Sequence, residues 1–174
     1  MKKRKNPIEE VTFTDNLMFQ SVMEDKAICK DVLEMILEIP IRTISYPDAE
    51  HDARHGLKPR SARFDIYVED EEGRQFDVEM QNAKRGDLAK RARYYQSLMD
   101  SSSLGKGIED YNSLPDCIII FLCNGFNPFE KEAQIYKIES TCRNHPGAKY
   151  EDGAHKVFLC TEGNPEEIPF SFCR

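Results

Sequence analysis

Acidic and amide side chains occupy every second position of one short segment near the middle of the chain. Asp77, Glu79 and Gln81 lie within the segment QFDVEMQ, and Asp65 precedes them by one β-like run and a polar turn. Because the side chains of a strand alternate between two faces, residues at i, i+2 and i+4 point to one side. If the two runs pair as a hairpin, Asp65 lies opposite the second strand, near Glu79.

This arrangement suits a hard divalent cation. Two carboxylates on adjacent strands can share Mg²⁺ and leave open positions for water and a phosphate oxygen. The backbone carbonyl of Met80 could add a ligand, and Gln81 could orient an attacking water. Asp77 could be a third ligand, although a solvated position at the rim is the simpler interpretation. The same alternation is typical of any half-exposed strand, so an ordinary surface strand stays open.

The elements that position these residues can be predicted from apolar periodicity and turn signals. Helices are predicted between residues 15 and 38, where the pattern fits one or two of them, and over 87–103. A loop is expected at 51–60. Strands are predicted over residues 41–46, 62–69, 75–81, 117–123, 134–138 and 156–160. This order favours an α/β fold with one mixed sheet and helices packed on it.

Composition narrows the class of protein. The chain has 174 residues, of which 40% are hydrophobic and 32% charged, which is typical of one globular domain. No apolar run reaches the roughly 18 residues of a membrane helix, and no apolar segment follows the basic N-terminus as in a secretory signal. Six cysteines without Cys-x-x-Cys spacing predict reduced, buried thiols in a cytoplasmic protein.

The charge distribution is uneven. A net charge of -7 does not by itself indicate nucleic-acid binding. Residues 84–93, however, hold five basic side chains against the single acid Asp87. Such a local basic face could contact phosphates, although a basic run on a helix is usually a solvated face.

Several segments together resemble one family. Asp65 followed by Glu79-Met80-Gln81 is similar to the D…ExQ version of the PD-(D/E)XK nuclease site. The segments FTDNLMFQSVMEDKAICKDVLEMIL, RARYYQSL, PDCIIIFLCNGFNPF and HKVFLCTEG also resemble family segments, in the family's order. Over residues 11–163 the chain resembles the Rpn-type recombination-promoting nucleases, also called PD-(D/E)XK nuclease family transposases.

The resemblance implies a restriction-endonuclease-like fold with an αβββαβ core and metal-dependent cleavage of DNA. Asp65 and Glu79 would hold Mg²⁺ or another divalent cation, with Met80 as a further ligand. Gln81 would stand where many members have a lysine, and the site thereby lacks one cation. Lys84, together with residues of the following helix, would contact DNA.

The following helix carries Arg91 and Tyr95 one turn apart, a spacing that suits phosphate contact. A tyrosine packed in the core beside a solvated arginine is the open alternative. Many sites of this kind also take an acid from the first helix, for which Asp15 and then Glu24 are the candidates. Helix capping or a solvated position explains either of these acids more simply.

The resemblance also predicts how the chain is divided into a leader, a domain and a tail. Residues 1–10 are expected to be a basic flexible leader, 11–163 the nuclease-like domain, and 164–174 an irregular tail after which the family's C-terminal region is missing. The favoured function is a Mg²⁺-dependent, cytoplasmic DNA endonuclease that hydrolyses phosphodiester bonds, with DNA as partner and a homodimer left open. The alternative is a truncated, inactive transposase remnant that serves as a binding module. An unrelated α/β protein with an acidic hairpin is a third interpretation.

Overall fold

Three helices and six strands make up the described part of the chain. The computed structural model describes residues 12–47, 64–104, 110–129 and 132–164. The helices are α1 (Asn16–Met23), α2 (Lys26–Leu37) and α3 (Leu88–Ser103), and one 3-10 turn covers Tyr111–Ser113. The strands are β1 (Ile44–Ser45), β2 (Ile66–Asp70), β3 (Gln75–Gln81), β4 (Cys117–Cys123), β5 (Ile135–Ile138) and β6 (Ala154–Cys160). None of these helices is long and apolar enough to span a bilayer.

The strands form one mixed sheet in the order β1-β2-β3-β4-β6-β5. Strands β1, β2 and β3 are antiparallel, β3, β4 and β6 are parallel, and β5 pairs antiparallel with β6. The predicted mixed sheet is therefore confirmed. Strand β1 is shorter than the predicted 41–46. The leader at 1–10, the loop at 51–60 and nearly all of the tail lie outside the described residues.

The predicted hairpin forms because its polar turn is held by Asp70. The Asp70 carboxylate accepts hydrogen bonds from the amides of Glu72 at 3.0 Å and Arg74 at 2.9 Å, and Arg74 Nε pairs with it at 2.5 Å. Gly73 takes a φ of 81°, which L side chains adopt only with strain. The turn sets the register that pairs Ile66 with Val78, and this places Asp65 opposite Glu79.

The N-terminal helical region is two helices rather than one. The carboxylate of Asp25 accepts hydrogen bonds from the amides of Ala27 at 2.9 Å and Ile28 at 3.2 Å, which caps α2 and separates it from α1. Helix α2 ends at Leu37, and the C-cap residue Glu38 takes a φ of 60°, which closes the last turn.

Helices cover both faces of the central strands. On one face, α1 and α2 bury Phe19 and Leu33 against Phe76 and Val78 of β3. On the other face, α3 buries Ala92, Tyr95 and Met99 in a core with Ile119, Phe121 and Phe158. All seven residues of β3 are buried as a result. The interpretation of β3 as a half-exposed strand is therefore wrong, because α3 covers the face that carries its acidic residues.

We expect Gly153→Ala to lower the free energy of unfolding by about 1–3 kcal/mol. Gly153 has a φ of 67°, and a Cβ there would collide with the side chain of Asp116 and lie 3.3 Å from its Cα. Gly147→Ala is the control, because a Cβ at Gly147 meets nothing within 4 Å. Urea denaturation should leave the Gly147 variant within about 0.5 kcal/mol of the parent. Equal stability of the two variants would contradict the strain at Gly153.

Candidate active site

The candidate site is an open cleft of about 310 Å³ at the carboxyl end of β3. Asp65 reaches it from the residue before β2, and the last residues of β3 reach it from the neighbouring strand. Helix α3 supplies side chains from its first two turns. Six of the residues predicted for the site line this cleft: Asp65, Glu79, Met80, Gln81, Arg91 and Tyr95.

The carboxylates of Asp65 and Glu79 each accept a hydrogen bond from a backbone amide on the opposite side of the hairpin. The amide of Asp65 donates to Glu79 Oε1 at 3.0 Å, and the amide of Met80 donates to Asp65 Oδ2 at 3.1 Å. The side-chain amide of Gln20 donates to Asp65 Oδ1 at 3.5 Å. These contacts bring the two carboxylates into one cleft, while their role as metal ligands stays a prediction.

Arg91 places a positive charge against the acidic side of the cleft. Its Nη2 lies 3.1 Å from Glu79 Oε2 and 2.9 Å from the Tyr95 hydroxyl oxygen, and its Nη1 donates to Gln81 Oε1 at 2.7 Å. The Arg91 side chain is only 22% exposed, so the interpretation of a solvated arginine is wrong. Tyr95 is buried edge-on against Phe64 with ring centroids 5.4 Å apart, and its hydroxyl still reaches Arg91. Tyr95 thus packs in the core and also contacts Arg91 of the site.

Electrostatics in the cleft disfavour full ionisation of the acids. Burial raises the pKa of Glu79 to about 7, and the negative charge of Asp65 adds to this rise. The hydrogen bond from the Asp65 amide and the charge of Arg91 act in the opposite direction. Glu79 therefore takes up or releases a proton near neutrality when Arg91 is the only positive charge beside it and no metal cation is bound.

Asp77 does not lie at the rim. It is fully buried, and neither carboxylate oxygen has a hydrogen-bond partner among the described residues. Burial, followed by the charges of Glu79 and Asp65, raises the pKa of Asp77 well above its ordinary value. Asp77 is also not one of the residues that line the cleft. The prediction of a solvated rim residue is wrong because α3 seals this face of β3.

Three other predicted residues lie outside the cleft wall. Asp15 stands at the N-cap of α1, where its carboxylate accepts a hydrogen bond from the Thr12 amide at 2.9 Å, and Glu24 stands exposed at the other end of that helix. Lys84 lies exposed in the loop between β3 and α3. None of the three is a lining residue. The structure therefore does not bring the proposed first-helix acids to the site.

Arg85, Asn16 and Asn82 line the cleft although they were not predicted for it. Asn82 donates to the carbonyl of Thr14 at 2.6 Å and accepts from the side chain of Asn124 at 3.0 Å. The position of these residues in the sequence could have indicated their place in the structure, because Asn82 and Asn124 each follow directly after a predicted strand. Arg85 belongs to the same basic run as Lys84, which is the residue predicted to contact DNA.

The donor set fits a hard cation. The carboxylates of Asp65 and Glu79 and the amide oxygen of Gln81 are oxygen ligands of the kind that Mg²⁺ prefers, and a guanidinium already lies against two of them. Within the described residues, no group of three or more His, Cys, Asp or Glu side chains is arranged to hold a metal. A cation here would rely on two carboxylates and on amide, carbonyl or water oxygens.

Comparison with known proteins gives one match. The family model described as PD-(D/E)XK nuclease family transposase matches residues 7–152, which is most of the chain. No curated protein and no solved structure matches. The family match agrees with the succession of α2, β1, β2, β3, α3 and β4, and it confirms the predicted restriction-endonuclease-like αβββαβ fold.

We expect the metal-free protein to lose stability as the pH rises from about 4.5 to 7. The pKa of Glu79 is about 7 in the folded state and 4.5 ordinarily, so the folded state binds more protons within this window. The free energy of unfolding then falls with rising pH, by on the order of 3 kcal/mol at most from this group. Glu79→Gln should remove this part of the fall.

Denaturation curves in EDTA at several pH values provide the measurement. The stability difference between Glu79→Gln and the parent should grow in favour of the variant as the pH rises through the window. Glu24→Gln is the matched control, since Glu24 is exposed and should leave the parent's pH profile unchanged. Parallel profiles for Glu79→Gln and the parent would show that Glu79 titrates like a solvated residue.

Proposed function

The chain belongs to the PD-(D/E)XK nuclease family transposases, and from this premise we propose that it is a Mg²⁺-dependent endonuclease that hydrolyses DNA phosphodiester bonds. One observation carries the proposal. The carboxylates of Asp65 and Glu79 converge with the amide of Gln81 and the guanidinium of Arg91 in a single cleft. Hydrolysis of a phosphodiester needs both a cation site and a donor to the phosphate, and these four side chains offer both.

Asp65 and Glu79 would hold the cation, and the carbonyl of Met80 is proposed as a further ligand. When bound, such an ion supplies Lewis acidity and lowers the pKa of a coordinated water. The contribution of the protein is to fix the two carboxylates before any substrate arrives. The reciprocal hydrogen bonds between Asp65 and the segment Glu79–Met80 do this, because each carboxylate is held by a backbone amide.

Gln81 and Arg91 would share the work done elsewhere in the family by a lysine. The amide of Gln81 can orient the attacking water but carries no charge. Arg91 supplies the missing positive charge, and its planar fork suits two phosphate oxygens. We infer that Arg91 exchanges its contacts with Glu79 and Gln81 for oxygens of the scissile phosphate. The hydroxyl of Tyr95, 2.9 Å from Arg91 Nη2, would keep the guanidinium at the cleft during this exchange.

Lys84 and Arg85 would attract the DNA backbone. Both precede α3 in a loop that reaches the cleft, and Arg85 lines the cleft itself. A chain with a net charge of -7 repels DNA at long range, so binding would depend on such a local basic segment. For location we propose the cytoplasm, where thiols stay reduced, since all five described cysteines are free.

If Glu79 holds the metal, Glu79→Gln should lower Mg²⁺-dependent nicking of a plasmid by at least about 100-fold, because the ligand loses its charge. In the same samples Mg²⁺ should raise the melting temperature of the parent and leave that of the variant unchanged. Glu24→Gln has the same change in charge on the exposed surface and should behave like the parent.

These two measurements also separate the enzyme from a binding module. If Mg²⁺ shifts the melting temperature of neither protein and neither nicks DNA, Glu79 is a structural carboxylate. The inactive remnant that acts only by binding would then replace the endonuclease.

A double variant, Lys84→Ala with Arg85→Ala, should weaken DNA binding and flatten its dependence on salt. Each lost phosphate contact is expected to reduce the slope of log K against log salt by about 1. Lys149→Ala removes one positive charge at a side chain that is 86% exposed and should leave the slope unchanged. Fluorescence anisotropy with a DNA duplex at several salt concentrations measures the slope. A slope unaffected by the double variant would place the DNA elsewhere on the protein.

A further inference from the structure

Two cysteines lie side by side at the carboxyl ends of β4 and β6. The parallel register pairs Cys123 with Cys160, so their side chains point to the same face of the sheet. Both are buried free thiols, 1% and 3% exposed, in the core beneath α3. Neighbouring strands lie about 4.8 Å apart, and disulfides commonly join Cα atoms 4.4–6.8 Å apart. The register therefore places the two Cα atoms at a separation that a disulfide can bridge.

The two thiols already interact. A hydrogen bond between them raises the pKa of Cys123 and lowers the pKa of Cys160. A thiolate is the nucleophilic form of cysteine, and each sulfur of the pair has the other beside it as the second sulfur.

The carboxyl ends of β4 and β6 border a groove of about 410 Å³ whose other walls include Phe13, Leu122 and Leu159. Cys123 and Cys160 are only 1% and 3% exposed, and their side chains lie on the α3 face, so an oxidant in this groove reaches the sulfurs when this edge of the sheet opens locally. The wall of this groove is mainly apolar, which admits a small uncharged oxidant more readily than an ion. Hydrogen peroxide is an oxidant of this kind.

We propose that Cys123 and Cys160 form a reversible disulfide when the protein meets a peroxide. One of the two sulfurs, as its thiolate, attacks one peroxide oxygen, the O–O bond breaks, and hydroxide leaves and is protonated to water, which gives a sulfenic acid at that cysteine. The other sulfur then attacks the sulfenic sulfur, the S–O bond breaks, and a second water leaves. In total two thiols lose two protons and two electrons, and one peroxide becomes two waters.

The other two buried cysteines of the described residues do not offer this chemistry. Cys117 lies on the same strand as Cys123, but its register partners are Gln75 and Ala154, and burial raises its pKa to about 12. Cys29 is buried in α2, where burial raises its pKa. Within the described residues, Cys123 and Cys160 are the cysteines that stand in register on neighbouring strands.

The disulfide would form in the same register row as Gln81 of the candidate site. Gln81 of β3 pairs with Cys123, which in turn pairs with Cys160, so one row crosses all three parallel strands. The proposal itself does not rest on the endonuclease function. It assigns an oxidation site to the fold whether or not the cleft is catalytic.

The full-length chain should be treated with a small excess of hydrogen peroxide, denatured, and alkylated with N-ethylmaleimide. Of its six cysteines, two fewer should be alkylated than in the reduced protein, and dithiothreitol should restore both. Without alkylation the intact mass should fall by about 2 Da, since two hydrogens are lost. On a non-reducing gel the protein should still migrate as a single chain.

Single variants test whether Cys123 and Cys160 are the two cysteines of the disulfide. Cys123→Ser and Cys160→Ser should each abolish the mass loss of about 2 Da, whereas Cys117→Ser, a buried thiol on the same strand, should keep it. Circular dichroism checks folding, and Cys123→Ala and Cys160→Ala replace any serine variant that does not fold. The proposal is wrong if the parent keeps its mass, if Cys117→Ser abolishes the loss, or if the loss persists without Cys123 or Cys160.

Discussion

Burial of negative charge on β3 is the constraint on which the candidate site depends. Asp77 and Glu79 lie on a central strand with helices on both faces, and taking a carboxylate out of water costs several kcal/mol unless a partner offsets it. Arg91 forms an ion pair with Glu79. The pKa of Asp77, whose carboxylate has no hydrogen-bond partner among the described residues, is raised well above its ordinary value, first by burial and then by the charges of Glu79 and Asp65. The docking of α3 both creates this cost and delivers the guanidinium that reduces it.

Local sequence signals were sufficient to predict the helices and strands and the pairing of Asp65 with Glu79. The turn at Asp70–Arg74 predicted the hairpin, and the hairpin register then brought Asp65 to Glu79. The apolar run of β4 correctly indicated a strand buried on both faces. These features could be predicted because the interactions that produce them are short in sequence or follow from strand periodicity.

What could not be predicted depends on contacts between distant elements. The alternation in β3 is the same for a surface strand and for one covered by a helix, so the burial of Asp77 is decided by the packing of α3 rather than by its own segment. Lys84 and Arg85 differ by a single position, and the path of the loop decides which of them lines the cleft. Strand β1 is short because its pairing extends only to Asp70 and Glu69.

The side chains that build the cleft come from a small part of the chain. Asp65, Glu79, Gln81, Arg91 and Tyr95 all lie on one hairpin and the first turns of the helix that follows it, whereas β4, β5 and β6 contribute support. The hairpin and the first turns of α3 can therefore be retained in evolution as one unit. The segments after this unit can diverge, lengthen or be exchanged while the acids keep their spacing. Selection on partner choice can then act on the second half of the fold independently of selection on chemistry.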